Sequence, residues 1–430
     1  MKSPLVFLVA AKRCEIGDLE QLALNCELVQ AICELVHLLQ RERGTSNLCL
    51  ASADPRFDAQ RAERVAAALA AEDCVRARLD GLAPDAGAAP GGGARLFTRI
   101  AMALDALNAL PPLRDRVAAR QCGAVEATQR YNRIVAAMLA LVFEAADIAV
   151  DPAVSRLLVS MFNLMQGKEF AGQERAAGAA AFAAARIDAD GAQALTHLIE
   201  AQEQCFRRFE EFGAEDSLRQ WRALQALMPL AELERLRRKL LSSLSGGGLD
   251  GVLADVWFDC CSRRLDLIHQ AEVHLAQDLK DECARRIAAT RAELGDQERL
   301  LATLSVAPAV EGLSSMLAAG GGDKPGTAGG HAAAAAAEAL GPRLTRSIVD
   351  TMQAQSRRLQ QMSDELAAVR AALDERKLVE RAKGLLMSHH GVGEDEAYRL
   401  LRQTAMNQGR RLVDVARTLL VMAELLPPRA

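Results

Sequence analysis

Apolar residues recur three and four positions apart almost without a break from Glu15 to Met316. That is the period of a helix face, and no comparable stretch alternates as a strand would. Glycine-rich interruptions at Gly81–Gly93 and Gly246–Gly248 divide the run, as do the junctions Asp151-Pro152 and Met228-Pro229. Proline disfavours helical geometry in the residue before it, so each junction marks a helix boundary. Only 3% of the chain is aromatic, and alanine, leucine, arginine and glutamate dominate. Such a composition supports helices far better than sheets. The expected fold is all-α, with residues 1–317 forming a large N-terminal domain of two packed helical bundles.

The segment Ala318–Pro342 contains seven glycines and reads as a flexible linker. Beyond it Met352, Gln355, Leu359, Met362, Leu366, Val369 and Leu373 alternate three and four apart, a coiled-coil seam assigned to residues 343–377. This helix either pairs two chains or docks onto the N-terminal bundle. Residues 378–427 then divide at Gly391, Gly393 and Gly409 into three short amphipathic helices. Their expected cores are Leu378, Ala382, Leu385 and Leu386; Ala397, Leu400, Leu401 and Ala405; and Leu412, Val415, Ala416 and Leu419.

Charge is unevenly distributed. From Arg376 onward ten basic residues face six acidic ones, so a tail of +4 hangs on a remainder of −8 within a net charge of −4. A basic module on an acidic chain suits contact with phosphate. The ten cysteines include no CxxC pair and have no histidine at ligand spacing. They read as small apolar residues in a reducing cytosol, and no metal site, no cofactor and no catalytic residue is expected. The apolar stretch Leu5–Ala11 is too short to span a bilayer, and Lys12-Arg13 follow it. A soluble, cytoplasmic protein without a membrane partner is expected. Glycine-rich phosphate loops, nucleophile elbows and metal quartets are missing from the sequence, which argues against an enzyme.

Helix periodicity also turns several arginines inward. Arg43 continues the stripe of Ile32, Val36, Leu39, Ser46 and Leu50, where a leucine would be expected. Arg175 falls in the stripe of Leu157, Met161, Leu164, Lys168 and Phe182. Arg264 falls in that of Trp257, Cys261 and Ile268, and Arg237 in that of Leu230, Leu233, Leu240 and Leu244. A buried guanidinium is costly unless paired, so each needs an anion or a carboxylate such as Glu42 or Glu174. His37, alone on its helix, reads as a packed or partner-facing residue, not a ligand.

The C-terminal segment closely resembles the ANTAR family of RNA-binding modules. The resemblance rests on Ala382-Lys383-Gly384, Glu396-Ala397, Leu401-Arg402, Ala405-Met406, Arg411-Leu412 and Val415-Ala416. It implies binding of paired stem-loops in a leader mRNA, usually as a homodimer, so that the terminator hairpin cannot form and the transcription machinery reads through. Lys383, Arg399, Arg402, Arg410, Arg411 and Arg417 are the candidate RNA contacts.

The run Leu38-Leu39-Gln40-Arg41-Glu42-Arg43-Gly44-Thr45-Ser46-Asn47 resembles the signature of the NIT family of nitrate and nitrite sensors. Lys168-Glu169, Gly172-Gln173-Glu174-Arg175-Ala176 and the Trp257, Ser262, Arg264 helix fit the same family. The resemblance implies that nitrate or nitrite is the effector. A guanidinium fork meets two oxygens of that small planar anion with parallel hydrogen bonds. Arg43 and Arg264 are the expected ligands, with Arg175 and Arg237 as alternatives. The joint expectation is a nitrate- or nitrite-responsive antitermination regulator; the alternative input is another small anion or a protein partner.

Overall fold

The computed structural model describes residues 4–51, 55–82, 93–243, 248–306, 330–392 and 394–425, and every regular element among them is a helix. In chain order these are α1 (Pro4–Ala51), α2 (Pro55–Gly81), α3 (Gly93–Asn108), α4 (Leu110–Ala118), α5 (Ala124–Ile148), α6 (Pro152–Ala183) and α7 (Ala189–Phe212). Then come α8 (Glu215–Leu227), α9 (Leu230–Ser242), α10 (Leu253–Val306), α11 (Gly330–His390), α12 (Glu394–Gln408) and α13 (Leu412–Leu425).

The proline junctions act as expected. Asp151 caps α6, its carboxylate accepting from the backbone N–H groups of Ala153 and Val154, with Pro152 in the first turn. Met228 ends α8 and Pro229 precedes α9. Most of the expected glycine-rich loop at Gly81–Gly93 and of that at Gly246–Gly248 lies outside the described residues.

Two compact units emerge. One comprises Met1–Ala23 with Asp281–Leu366, the other Leu24–Lys280 with Ala367–Ala430. These cut across the limits expected from the sequence, because α1, α10 and α11 are long enough to run from one unit into the other. Of the expected linker Ala318–Pro342, residues 318–329 lie outside the described residues, but α11 already begins at Gly330. The run Ala332–Ala337 explains the helix there, since alanine has the highest helix propensity.

In the first unit a chain of ion pairs joins three helices. Buried Lys12 of α1 meets Glu293 of α10 at 2.6 Å, and Arg358 of α11 meets Glu293 at 2.7 Å and Glu15 of α1 at 3.3 Å. Together the two cations hold the Glu293 carboxyl below its usual range despite its partial burial.

In the second unit α6 is the axis. It packs against α5 on one side and against α7 and α9 on the other, so α2–α5 and α7–α9 form two bundles about a shared helix. Between α6, α7, α9 and α10 lies a core of Phe182, Leu195, Leu233, Leu236, Leu240 and Trp257. The indole N–H of Trp257 donates to the Arg175 carbonyl at 2.9 Å, so its one polar atom is satisfied inside that core. Helix α1 has a window apolar enough to cross a membrane, with mean hydropathy 1.5, but 61% of that window is buried in the protein, as in a core helix.

The last three helical segments build a small core of Val379, Ala382, Leu386, Ala397, Leu401, Ala405, Val415 and Ala416. Val379 takes the place expected for Leu378, and Leu400 is 39% exposed, as is Leu230 at the start of α9. Gly391 and Gly409 end α11 and α12 with φ of +65° and +61°, a left-handed turn that glycine adopts without strain. Of the coiled-coil seam, Val369 and Leu373 are buried while Leu359 is 58% exposed.

Candidate functional site

Three helices converge on the inward-facing arginines. Helix α6 carries Lys168, Glu169, Glu174 and Arg175, α1 carries Gln40, Glu42 and Arg43, and α10 carries Ser262 and Arg264. Arg43 is 1% exposed. Its guanidinium forks onto Glu169, Nη1 to Oε1 at 2.5 Å and Nη2 to Oε2 at 3.2 Å, and Nη1 also donates to Asn132 Oδ1 at 2.5 Å. Gln40 donates to Glu169 Oε2 at 2.8 Å and Gln173 to Oε1 at 2.9 Å, so the carboxylate is saturated with donors.

Arg175 is paired differently. Its Nη1 donates to Ser262 Oγ at 2.9 Å, its Nη2 to the Gln40 carbonyl at 3.2 Å, and its plane lies 4.8 Å from the Phe258 ring centre. These partners are neutral. Burial, and then the positive charge of Arg43, push its pKa down to about 10. Arg43 is thus neutralised by Glu169, whereas the neighbouring Arg175 is held by neutral groups, which leaves a positive charge in a dry interior.

Glycine makes the approach possible. A Cβ at Gly172 would stand 2.8 Å from Arg43 Nη2, and one at Gly44 would stand 2.9 Å from Arg175 Nη2.

A second cluster lies five residues along α6, about 7.5 Å away at the helix rise. There Arg237 forks onto Glu174, Nε at 2.6 Å and Nη2 at 2.7 Å, and also meets Glu234 at 2.5 Å. Burial opposes its charge, but these two carboxylates outweigh it and raise the pKa. Arg264 Nη1 donates to Gln202 Oε1 at 2.7 Å and stands 3.6 Å from Glu174. Its Nε is buried without a hydrogen-bond partner, and burial lowers its pKa.

The arginine set around Arg43 thus differs from that expected by helix facing. Arg175 is its cationic neighbour, while Arg264 sits with Arg237 about Glu174. Glu42, adjacent in sequence to Arg43, points elsewhere. It takes Arg114 at 2.9 and 3.0 Å and the Tyr131 hydroxyl at 2.7 Å. Successive helical residues face 100° apart, so neighbours in sequence meet different helices. Glu169 and Asn132 complete the site without having been singled out; Glu169 stood only within a family motif, and Asn132 carried no signal.

The basic module lies against acids of the same unit. Arg402 of α12 meets Glu200 of α7 at 2.5 Å, and Arg399 stands 3.9 Å from Asp190 of α7. Arg411 of α13 stands 3.8 Å from Glu375 of α11 and is also paired with Asp414 at 3.2 Å. The Tyr398 and His197 rings meet at 4.4 Å between centres. A cleft of about 530 Å³ separates α7 from α12 and α13, with Glu200, Arg207, Arg402 and Arg410 among its walls. Lys383 is buried and bonded to Glu380, Arg410 bonds Thr418, and Arg417 is exposed. Upstream, Arg376 lies 4.6 Å from the Phe162 ring centre, and Lys377 meets Asp147 at 2.5 Å.

Residues 34–280 match the model of a family described as nitrate and nitrite sensing, and residues 367–420 match the ANTAR domain. The nitrate regulatory protein of Klebsiella oxytoca is 33% identical over 415 residues, 96% of this chain and 94% of that protein. The chain belongs to the NIT–ANTAR family of nitrate regulatory proteins. A solved structure of the NasR transcription antiterminator superposes with a TM-score of 0.57 at 30% identity, covering 98% of this chain and 99% of that one. The transcriptional regulatory protein PdtaR of Mycobacterium tuberculosis is 38% identical over 64 residues, 15% of this chain and 31% of that protein. In this NIT–ANTAR chain Arg43, Glu169, Glu174, Arg175, Arg237 and Arg264 all lie within the matched sensing segment.

Proposed function

We infer that this protein is a nitrate- or nitrite-responsive transcription antiterminator, with the sensing site on α1, α6 and α10 and the output through the ANTAR module. The observation that carries the sensing site is the charge at Arg43 and Arg175, two neighbouring buried guanidiniums: Arg43 is ion-paired with Glu169, while Arg175 donates to the neutral Ser262 hydroxyl and Gln40 carbonyl. A monovalent planar anion is the complement that such a site lacks. Arg264, with its buried unpartnered Nε, and Arg237 form a neighbouring group about Glu174.

The output follows from what covers the basic module. Arg399 and Arg402, both candidate RNA contacts, lie near Asp190 and Glu200 of α7, while Arg411 lies near Glu375 within the matched module itself. RNA phosphates compete with these carboxylates, so the docked arrangement is the resting one. Anion binding needs only to favour the undocked arrangement for the module to take up a leader RNA of two stem-loops. Lys383, Arg410 and Arg417 complete the RNA-facing set. The domain division is a sensor over residues 1–317, a connecting helix and an ANTAR module over residues 378–427. The acting form is a cytoplasmic homodimer, and its work is regulatory, not catalytic.

The test is nitrate binding by calorimetry to the full chain and to Arg43→Ala and Arg175→Ala, beside RNA binding with and without nitrate. Saturable binding lost in both variants, with tighter RNA binding in nitrate, is expected. RNA affinity that is equal with and without nitrate refutes the coupling. Failure of nitrate to bind, with RNA binding intact, transfers the input to another small anion or a protein partner.

A further inference from the structure

A second polar cluster in the sensor serves neither arginine group. It lies between α1 and α10 and consists of Cys33, His269 and Glu272, with Lys168 of α6 beside them. One donor atom from each of the three lies within 4.8 Å of the other two. Cys33 Sγ is 3.4 Å from Glu272 Oε2, and His269 Nδ1 is 3.1 Å from the same oxygen. Ligand edges of about 3.3–3.5 Å are what a tetrahedral ion requires, given bonds of about 2.3 Å to sulfur and 2.0–2.2 Å to nitrogen and oxygen. The other carboxylate oxygen, Glu272 Oε1, is buried without a hydrogen-bond partner.

We propose that Cys33, His269 and Glu272 form a site for a divalent transition-metal ion that ties α1 to α10. A thiolate, an imidazole and a carboxylate together suit a borderline-soft ion such as Zn²⁺, Fe²⁺ or Co²⁺. Three protein ligands leave a fourth position open. His37, whose ring stacks on that of His269 at 3.7 Å, fixes the orientation of the liganding imidazole.

In the structure the Lys168 ammonium, in direct contact with Glu272, is the cation that neutralises this carboxylate. A metal ion therefore competes with Lys168. On binding, the Cys33 thiol gives its proton to solvent and its sulfur lone pair to the metal. Lys168 gives up its contact with Glu272, whose oxygen is then taken by the metal. Without that ion the Cys33 thiol is held neutral, its pKa raised by burial and by Glu272.

The experiment uses the full chain, stripped with a chelator under a non-thiol reductant and titrated with Co²⁺. A thiolate-to-cobalt charge-transfer band saturating at one equivalent is expected. It disappears in Cys33→Ser, an isosteric change that preserves the helix, and weakens in His269→Gln. Lys168→Gln removes the competing cation and tightens binding by at least about tenfold, the scale of one buried charge. No band at one equivalent overturns the site, as does an unchanged band in Cys33→Ser, which would place the cobalt on another cysteine. A Lys168→Gln chain that binds cobalt no more tightly also overturns it. Helicity measured by circular dichroism separates any of these results from unfolding.

Discussion

Replacing Glu169 by glutamine tests the sensing site at its most constrained point. Each carboxylate oxygen of Glu169 accepts from two donors, Oε1 from Arg43 and Gln173 and Oε2 from Arg43 and Gln40. An amide of the same shape cannot serve both sides, because its NH₂ faces donors whichever way it is turned. The substitution also leaves Arg43 buried without its carboxylate, beside the positive charge of Arg175. Removing one partner of a buried pair costs about 3–5 kcal/mol, which for a unit of this size lowers the melting temperature by on the order of 5–10 °C. An anion that binds between the two guanidiniums restores part of this loss. At 100 times its dissociation constant, a ligand specific for the folded state contributes about 2.7 kcal/mol. Thermal melts of Glu169→Gln in nitrate and in chloride at equal ionic strength should therefore differ by several degrees, and by more than those of the parent chain. Equal nitrate shifts in the two proteins, or equal shifts in chloride and nitrate, would refute the assignment of Arg43 and Arg175 to the anion.

Gly172→Ala places a methyl group 2.8 Å from Arg43 Nη2, so the guanidinium must move; nitrate affinity by calorimetry should fall about tenfold, as expected when a charge-assisted bond worth more than 1.4 kcal/mol is lost, while RNA affinity without anion stays unchanged. Gly178→Ala drives a Cβ to 2.2 Å from Trp257 Cε2 and should destabilise the sensor by about 1–3 kcal/mol in denaturant titrations. Glu200→Gln with Asp190→Asn removes the docking acids but not the proposed RNA contacts. The pairs are largely exposed and worth less than about 1 kcal/mol each, so anion-free RNA affinity in a gel shift should rise several-fold, not by orders of magnitude.

His269 supplies a pH test in the chelator-stripped, metal-free chain. Burial opposes its charge, but hydrogen bonds to Glu272 and Glu34 outweigh burial and raise its pKa above 6.5. Its contribution to stability is therefore complete below pH 6.5 and is lost as pH rises through the raised value. His37 acts in the opposite sense. Burial and then Lys168 lower its pKa, so its term is present above pH 6.5 and lost below it. Denaturation midpoints of His269→Gln should lack the alkaline loss and retain the acidic one.

Much of the chain was legible because helices are local. The stripe of Ile32, Val36 and Leu39 pointed Arg43 inward from a period of 3.6 alone, and Arg43 is indeed 1% exposed. Gly391 and Gly409 marked the ends of α11 and α12, and both take positive φ there. Where the sequence misled, the cause was a neighbour it could not name. Leu400 lay on the expected stripe of α12 but is 39% exposed, whereas Leu401 beside it is 2% exposed in the shared core. The alanines of 332–337 formed helix in a segment whose glycines suggested a linker.

What the sequence determined by itself was which faces are apolar, where helices start and stop, and that several arginines must be buried. Those properties depend on residues within a turn or two of one another. Only tertiary structure decided which carboxylate each arginine meets. Arg43 is paired with Glu169, 126 positions away, while Glu42 beside it is paired with Arg114, 72 positions away. Periodicity sets the direction of a side chain, but the partner depends on which helix packs there. That is settled by the burial of whole faces against one another, to which a single ion pair adds little.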